Sequence, residues 1–169
     1  RAAQASEADR KLVGNGIPKF TMSTSHNFRY RNFDLSLYFR GAFFYDIFNI
    51  HDFYYGTRNF TGNMLKKAYA KNFYISPDAN PVVCDYFLER GDYFKLDTIS
   101  FGYTFTPKEC RFLDRIRLYG TVKDVFTLTK FSGIDPSTYQ VNGLTPGAQG
   151  SRTYYPSTRQ FILGLQIDF

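Results

Sequence analysis

The chain has 169 residues, among them 19 Phe and 14 Tyr but no Trp, and a formal net charge of +6 at pH 7. No run of it approaches the roughly 18 apolar residues that a membrane-spanning helix needs, and its mean hydropathy is -0.35. This composition excludes helical membrane spans but not β-barrels, in which only alternate residues of a strand meet lipid.

In chain order, residues 1–18 are polar and carry Gly14, Gly16 and Pro18, the punctuation of a loop. From Lys19 to Tyr30, the residues Phe20, Met22, Thr24, His26, Phe28 and Tyr30 share one face of an extended strand. Thr21, Ser23, Ser25, Asn27 and Arg29 share the other. After Arg31-Asn32 the alternation resumes, with Phe33, Leu35, Leu37 and Phe39 against Asp34, Ser36, Tyr38 and Arg40. A two-residue turn pairs Tyr30 with Phe33 and joins the two apolar faces, so the spacing predicts a β-hairpin over 19–45. Residues 46–91 read as a long loop containing a short helix from Thr61 to Asn72, with Met64, Leu65, Ala68 and Tyr69 on one side.

A second hairpin is expected over 92–128, with a turn at 106–114. Its first strand, from Tyr93 to Phe105, is apolar at Ile99, Phe101, Tyr103 and Phe105. Its second sets Ile116, Leu118, Gly120 and Val122 against Arg117, Tyr119, Thr121 and Lys123. Lys95 and Asp97 share parity with Ile99 and break the first pattern. Either a bulge resets the register there or that end stands above the hydrocarbon. Residues 129–157 form a second long loop, and 158–169 a last strand whose apolar face is Phe161, Leu163, Leu165, Ile167 and Phe169.

Short and long connections alternate along these strands. Outer-membrane barrels sort their connections in this way, with short periplasmic turns and long extracellular loops. The reading is therefore all-β: a transmembrane antiparallel β-barrel, of which this chain is the C-terminal five strands. It places the C-terminus in the periplasm and 1–18, 46–91 and 129–157 outside. The chain opens on Arg1 with no signal region, and is read as the C-terminal piece of a longer protein. Parity points Tyr38, Arg40, Arg117, Tyr119 and Lys123 into the lumen, where they are candidate substrate contacts. Phe53, Tyr54, Tyr55, Tyr139, Tyr154 and Tyr155 fall in the outer loops.

Other chemistries have little support in the sequence. His26 and His51 are its only histidines and make no zinc set. No phosphate-cradling glycine motif occurs. Glu89, Asp92 and Asp97 lie near a loop–strand junction and read as solvated residues, not as a glycosidase acid pair. The expectation is a protein that is not an enzyme, with no catalytic or metal-binding residues and no cofactor. The basic residues are scattered, and Phe28-Arg29-Tyr30-Arg31 reads as girdle aromatics beside cations, not as a base-stacking platform, so no nucleic-acid partner is expected. Cys84 and Cys110 fall on opposite sides of the membrane and are expected not to pair.

The residues also resemble a known family. Asn27-Phe28-Arg29-Tyr30-Arg31-Asn32-Phe33-Asp34-Leu35-Ser36-Leu37 resembles the penultimate-hairpin region of SusC/RagA-type TonB-dependent transporters of Bacteroidetes. Gly14-Asn15-Gly16-Ile17-Pro18-Lys19-Phe20 is similar to their lead-in, and Tyr45-Asp46-Ile47-Phe48-Asn49 to the motif that follows. Asp92-Tyr93-Phe94-Lys95-Leu96, Ile99-Ser100-Phe101-Gly102-Tyr103-Thr104-Phe105, Phe131-Ser132-Gly133-Ile134-Asp135-Pro136 and Tyr155-Pro156 with Arg159 continue the series in the family's order.

The resemblance implies a single 22-stranded barrel in the bacterial outer membrane, filled by an N-terminal plug and energised through TonB. It implies a SusD-like surface lipoprotein as a lid, and oligosaccharides or, in some members, peptides as cargo. The strand bearing Phe161, Leu163, Leu165, Ile167 and Phe169 would be read by the barrel-assembly machinery. The loop aromatics would dock the lipoprotein or pack the loops. A passive porin or adhesin barrel without a plug, and a soluble β-sandwich binding module, are the alternatives.

Overall fold

The computed structural model describes residues 10–57, 62–69, 82–107, 112–138, 146–147 and 155–169. Five strands form one antiparallel sheet in the order β1-β2-β5-β6-β7. They are β1 (Phe20–Tyr30), β2 (Phe33–Phe43), β5 (Tyr93–Phe105), β6 (Arg115–Thr129) and β7 (Gln160–Asp168). Two three-residue strands, β3 (Asp46–Phe48) and β4 (Leu88–Arg90), pair in a separate small sheet. A helix α1 (Ile50–Tyr55) follows β3.

The register follows from side-chain parity. Tyr30 pairs with Phe33 across a turn at which Arg31 takes a φ of 53°. Phe28 then faces Leu35, and Leu35 faces Phe101 on β5. The apolar face continues through Tyr103 with Leu118 and Leu118 with Leu165. On the other face, Arg29, Asp34 and Gly102 lie side by side across three strands, and Thr104, Arg117 and Gln166 across the next three. The sheet thus has one apolar and one polar face. Both long connections leave from the end where Ala42, Tyr93 and Thr129 are cross-strand neighbours.

A bulge explains Lys95 and Asp97. Tyr38-Phe39 on β2 lies opposite Thr98-Asp97-Leu96 on β5, which lies opposite Lys123-Asp124-Val125-Phe126 on β6. β5 therefore holds one residue more than β2 at this level, and β6 two more. Asp124 accommodates the excess with a φ of 54°, the left-handed conformation that one type of bulge places at its first residue. With Asp97 as the extra residue, Leu96 joins Phe39 on the apolar face and Lys95 joins Arg40 on the polar one.

At the long-connection end, Ala42, Tyr45, Ile47 and Phe131 form a small buried core against Tyr93. The expected helix from Thr61 to Asn72 is reduced, among the described residues, to a single 3-10 turn over Lys66–Tyr69. Its i→i+3 bond from Ala68 N to Leu65 O closes that one turn around a buried Ala68. Residues 61 and 70–72 lie outside the described segments. The helix that does form, α1, starts where the Asn49 side chain accepts from Asp52 N, a standard N-cap arrangement.

Candidate functional site

The polar face is organised by charge pairs that bridge strands. Arg117 donates to both Asp34 oxygens, Nε–Oδ1 at 3.0 Å and Nη2–Oδ2 at 2.6 Å, the bidentate geometry that makes such pairs strong. Asp34 is on β2 and Arg117 on β6, so the pair spans β5 at Gly102, where a Cβ would sit 2.6 Å from Asp34 Oδ1. The Arg117 guanidinium also lies 5.0 Å from the centre of the Tyr119 ring, and that ring covers Gly164 on β7. Arg40 pairs with Asp97 at 3.2 Å.

Three of the five candidate lumen residues are thus engaged within the sheet: Arg40, Arg117 and Tyr119. Tyr38 and Lys123 share their face and stay exposed. The Lys123 side chain makes no ion pair or hydrogen bond among the described residues.

The segments at the long-connection end are tied by a polar clasp. Glu89 on β4 accepts from Ser132 N at 2.8 Å, from Ser132 Oγ at 2.7 Å and from Asn49 Nδ2 at 2.8 Å. Three distant stretches of chain meet at this one carboxylate. Asp46 N donates to Asn15 O at 2.8 Å and Phe48 N to Gly147 O at 2.9 Å, both on the edge of β3 that faces away from β4. The motif Tyr45-Asp46-Ile47-Phe48-Asn49 is therefore a loop-folding element. Ile47 is fully buried, Phe48 packs on Phe53 and Phe87, and Asn49 both caps α1 and binds Glu89.

Glu89, Asp92 and Asp97 are not the solvated residues that the sequence reading took them for. Asp92 receives Arg90 and Phe44 N, and Asp97 holds Arg40. Each carboxylate serves a fold contact and, apart from Arg90 two residues before Asp92, its partners lie too far along the chain to be read locally.

Burial opposes the charge on Glu89, yet its bonds from Ser132 and Asn49 outweigh burial and hold its carboxyl below the ordinary range. Asp135 is likewise lowered despite burial, by bonds from Ser157 and Ser137 and by the nearby Lys95 charge. A depressed carboxyl contributes its full stability above its unfolded pKa and loses it as pH falls through the folded value. Near-UV circular dichroism of the loop aromatics in the complete protein should hold steady from about pH 7 to about pH 5 and collapse below the ordinary carboxylate range of about 4. A signal unchanged at about pH 2 would count against the clasp.

Among the loop aromatics, Phe53 is packed edge-on against Tyr54 and Phe87. Tyr55 lies over His51 at 6.4 Å, and Tyr155 is open to solvent. Tyr139 and Tyr154 lie outside the described residues, as does Cys110. Cys84 is an exposed free thiol.

A single antiparallel sheet, apolar on one side and charge-paired on the other, with its long connections gathered at one end, is a section of β-barrel wall. No family model matches the chain. It is 30% identical to TonB-dependent receptor P3 of Formosa agariphila over an alignment covering 98% of this chain and 18% of that protein. It is 25% identical to TonB-dependent receptor SusC of Bacteroides thetaiotaomicron, covering 88% of this chain and 15% of that one.

Two solved structures of the RagAB peptide importer, in its open-open and closed-closed states, share the fold with TM-scores of 0.78 and 0.75 at 16% identity. Each match covers 99% of this chain and 19% of that one. The chain is a barrel segment of the SusC/RagA family of TonB-dependent outer-membrane receptors, and it spans less than a fifth of the length of these relatives. Its kinship is with receptors and importers, not with enzymes.

Proposed function

We propose that this chain forms the last five strands of an energised importer in the outer membrane, with its C-terminus in the periplasm and its long connections outside. The observation that carries the reading is the two-faced sheet, whose fold matches nearly the whole segment to the wall of a peptide importer. On this reading Tyr38 and Lys123 are the two of the five candidates that face the lumen with side chains open to cargo. Arg40, Arg117 and Tyr119 stiffen the wall.

The exposed row Phe161, Leu163, Leu165 and Ile167 on β7 with Phe169 just after it meets lipid, presents the strand to the assembly machinery and lies along the seam that closes on the first strand. Phe53, Tyr54 and Tyr55 shape the outer loops, and Tyr155 is the exposed aromatic offered to a SusD-like lipoprotein. The cargo is an oligosaccharide or a peptide, with a plug and TonB coupling supplied by the rest of the protein.

The test is peptide mass mapping of the native complex, extracted in mild detergent and purified on this chain. Plug peptides together with a co-purifying SusD-like lipoprotein are expected. Barrel peptides with neither would replace the importer by a passive channel or adhesin.

A further inference from the structure

Lys95 is the most deeply buried cation among the described residues, at 1% exposure. It lies on the polar face of a wall strand, where the bulge directs it. Removing an ammonium from water is costly unless close counter-charges replace the solvent. Here two carboxylates do so: Asp124 Oδ1 at 2.5 Å and Asp135 Oδ2 at 3.7 Å, with Ser137 Oγ at 3.5 Å.

The two acids differ in origin. Asp124 is itself a bulge residue of β6, so it belongs to the wall. Asp135 belongs to the segment that leaves β6, and it also accepts from Ser157 Oγ at 2.5 Å and Ser137 N at 2.9 Å. Ser157 lies in the approach to β7. Two residues further on, Arg159 Nη2 donates to the Val125 carbonyl, the other surplus residue of β6, at 2.5 Å. Between this segment and the wall lies a cleft of about 270 Å3 lined by Lys95, Asp124, Asp135, Ser157 and Arg159. Beyond Phe131 the segment is held by the Glu89 bonds at Ser132, by the Tyr45 hydroxyl donating to the Pro136 carbonyl at 3.3 Å, and by these charged contacts around Asp135.

We propose that Lys95 is a positioning residue that latches residues 132–138 and 155–159 to the barrel wall, acting through Asp135. The bulge exists at this level to supply the latch. It turns Lys95 to the polar face and provides Asp124 as the wall-side counter-ion. Asp97, the other bulge acid, neutralises Arg40, the cross-strand neighbour that would otherwise repel Lys95. Release of the latch frees the segment while leaving the β5–β6 ladder paired. That this segment then controls the mouth through which cargo passes rests on the importer reading; the latch itself does not.

The experiment is hydrogen exchange on the complete receptor in detergent micelles, comparing Lys95→Met and Lys95→Arg with the parent. The triple variant Lys95→Met/Asp124→Asn/Asp135→Asn is included because it removes the stranded carboxylates should Lys95→Met fail to assemble. In the assembled Met-bearing variant, amides of 132–138 are expected to exchange at least tenfold faster. Amides of β5 and β6 below the bulge should be unchanged, and Lys95→Arg should restore most of the protection.

Unchanged protection in 132–138 would overturn the proposal. So would an equal loss along β5 and β6, since that reports general support of the wall. The readout does not depend on plug or lipoprotein, so failure of the importer reading and failure of the latch are told apart.

Discussion

Residues 1–169 produced alone in aqueous buffer should give no folded monomer. Among the described residues the sheet ends on β1 and β7, each with one side unpaired, and open edges of this length recruit other chains. Among the described residues nothing covers its apolar face: Leu163 is 86% exposed, Phe169 85% and Phe161 74%. The small buried core around Ile47 sits at one end and cannot offset the conformational entropy of ordering five long strands. The expected outcome is aggregate on gel filtration in water and a β-type far-UV circular dichroism spectrum only with detergent. A monodisperse species with a cooperative thermal transition in plain buffer would contradict the barrel-wall assignment, because the apolar face would then have to be buried within the chain itself.

The second large effect is expected at two glycines. Gly147 has a φ of 72°, and a Cβ there would lie 2.5 Å from the Asp46 carbonyl oxygen and 2.6 Å from Gly16 Cα. A Cβ on Gly16 would come to 2.0 Å from the Pro146 carbonyl oxygen. Every obstructing atom is backbone, so no rotamer change relieves the contact. Gly147→Val meets the left-handed strain of roughly 1–2 kcal/mol and loses the bond from Phe48 N, worth about 1 kcal/mol.

Gly16→Val forces the same crossing apart without the φ penalty. In the complete protein both variants should still assemble as barrels, with the stretch 46–57 becoming sensitive to a surface-added protease. Gly102→Ala is the contrast, since its Cβ would meet only the ends of the Asp34 and Arg117 side chains, which can swing aside. Equal protease sensitivity in all three variants would show that close backbone approach is not what holds this region.

The parts of the fold that were legible from sequence are those governed by period two. Phe28, Tyr30, Phe33 and Leu35 announce a hairpin because alternation and turn length agree locally, and the terminal strand is read in the same way. Lys95 carried a local signal too, the parity clash with Ile99, but resolving it needed the neighbours Tyr38 and Asp124 on other strands.

The clasp was not legible. Glu89 meets Ser132 across 43 residues, and Asp34 meets Arg117 across 83, separations at which residue type alone carries no pairing information. The motifs around Asn15, Ile47 and Phe131 were visible as family resemblance, and only the structure shows why those residues occur: they are the mutual contacts of one loop body. β3, β4 and α1 were missed because elements of three to six residues have too few positions for periodicity to register.

The bulge has a consequence for how such walls can change over time. If Asp97 were excised together with Asp124 and Val125, Thr98 would adjoin Leu96 and Lys123 would adjoin Phe126, and every remaining side chain would keep its face. The three residues are thus a removable cassette split between two strands. Losing any part of it alone would leave neighbouring strands out of step, so a lineage can gain or shed it cheaply only as a set. Its cargo is two carboxylates and one carbonyl. A barrel without the cassette would keep its wall intact and have to find another way to fasten its rim.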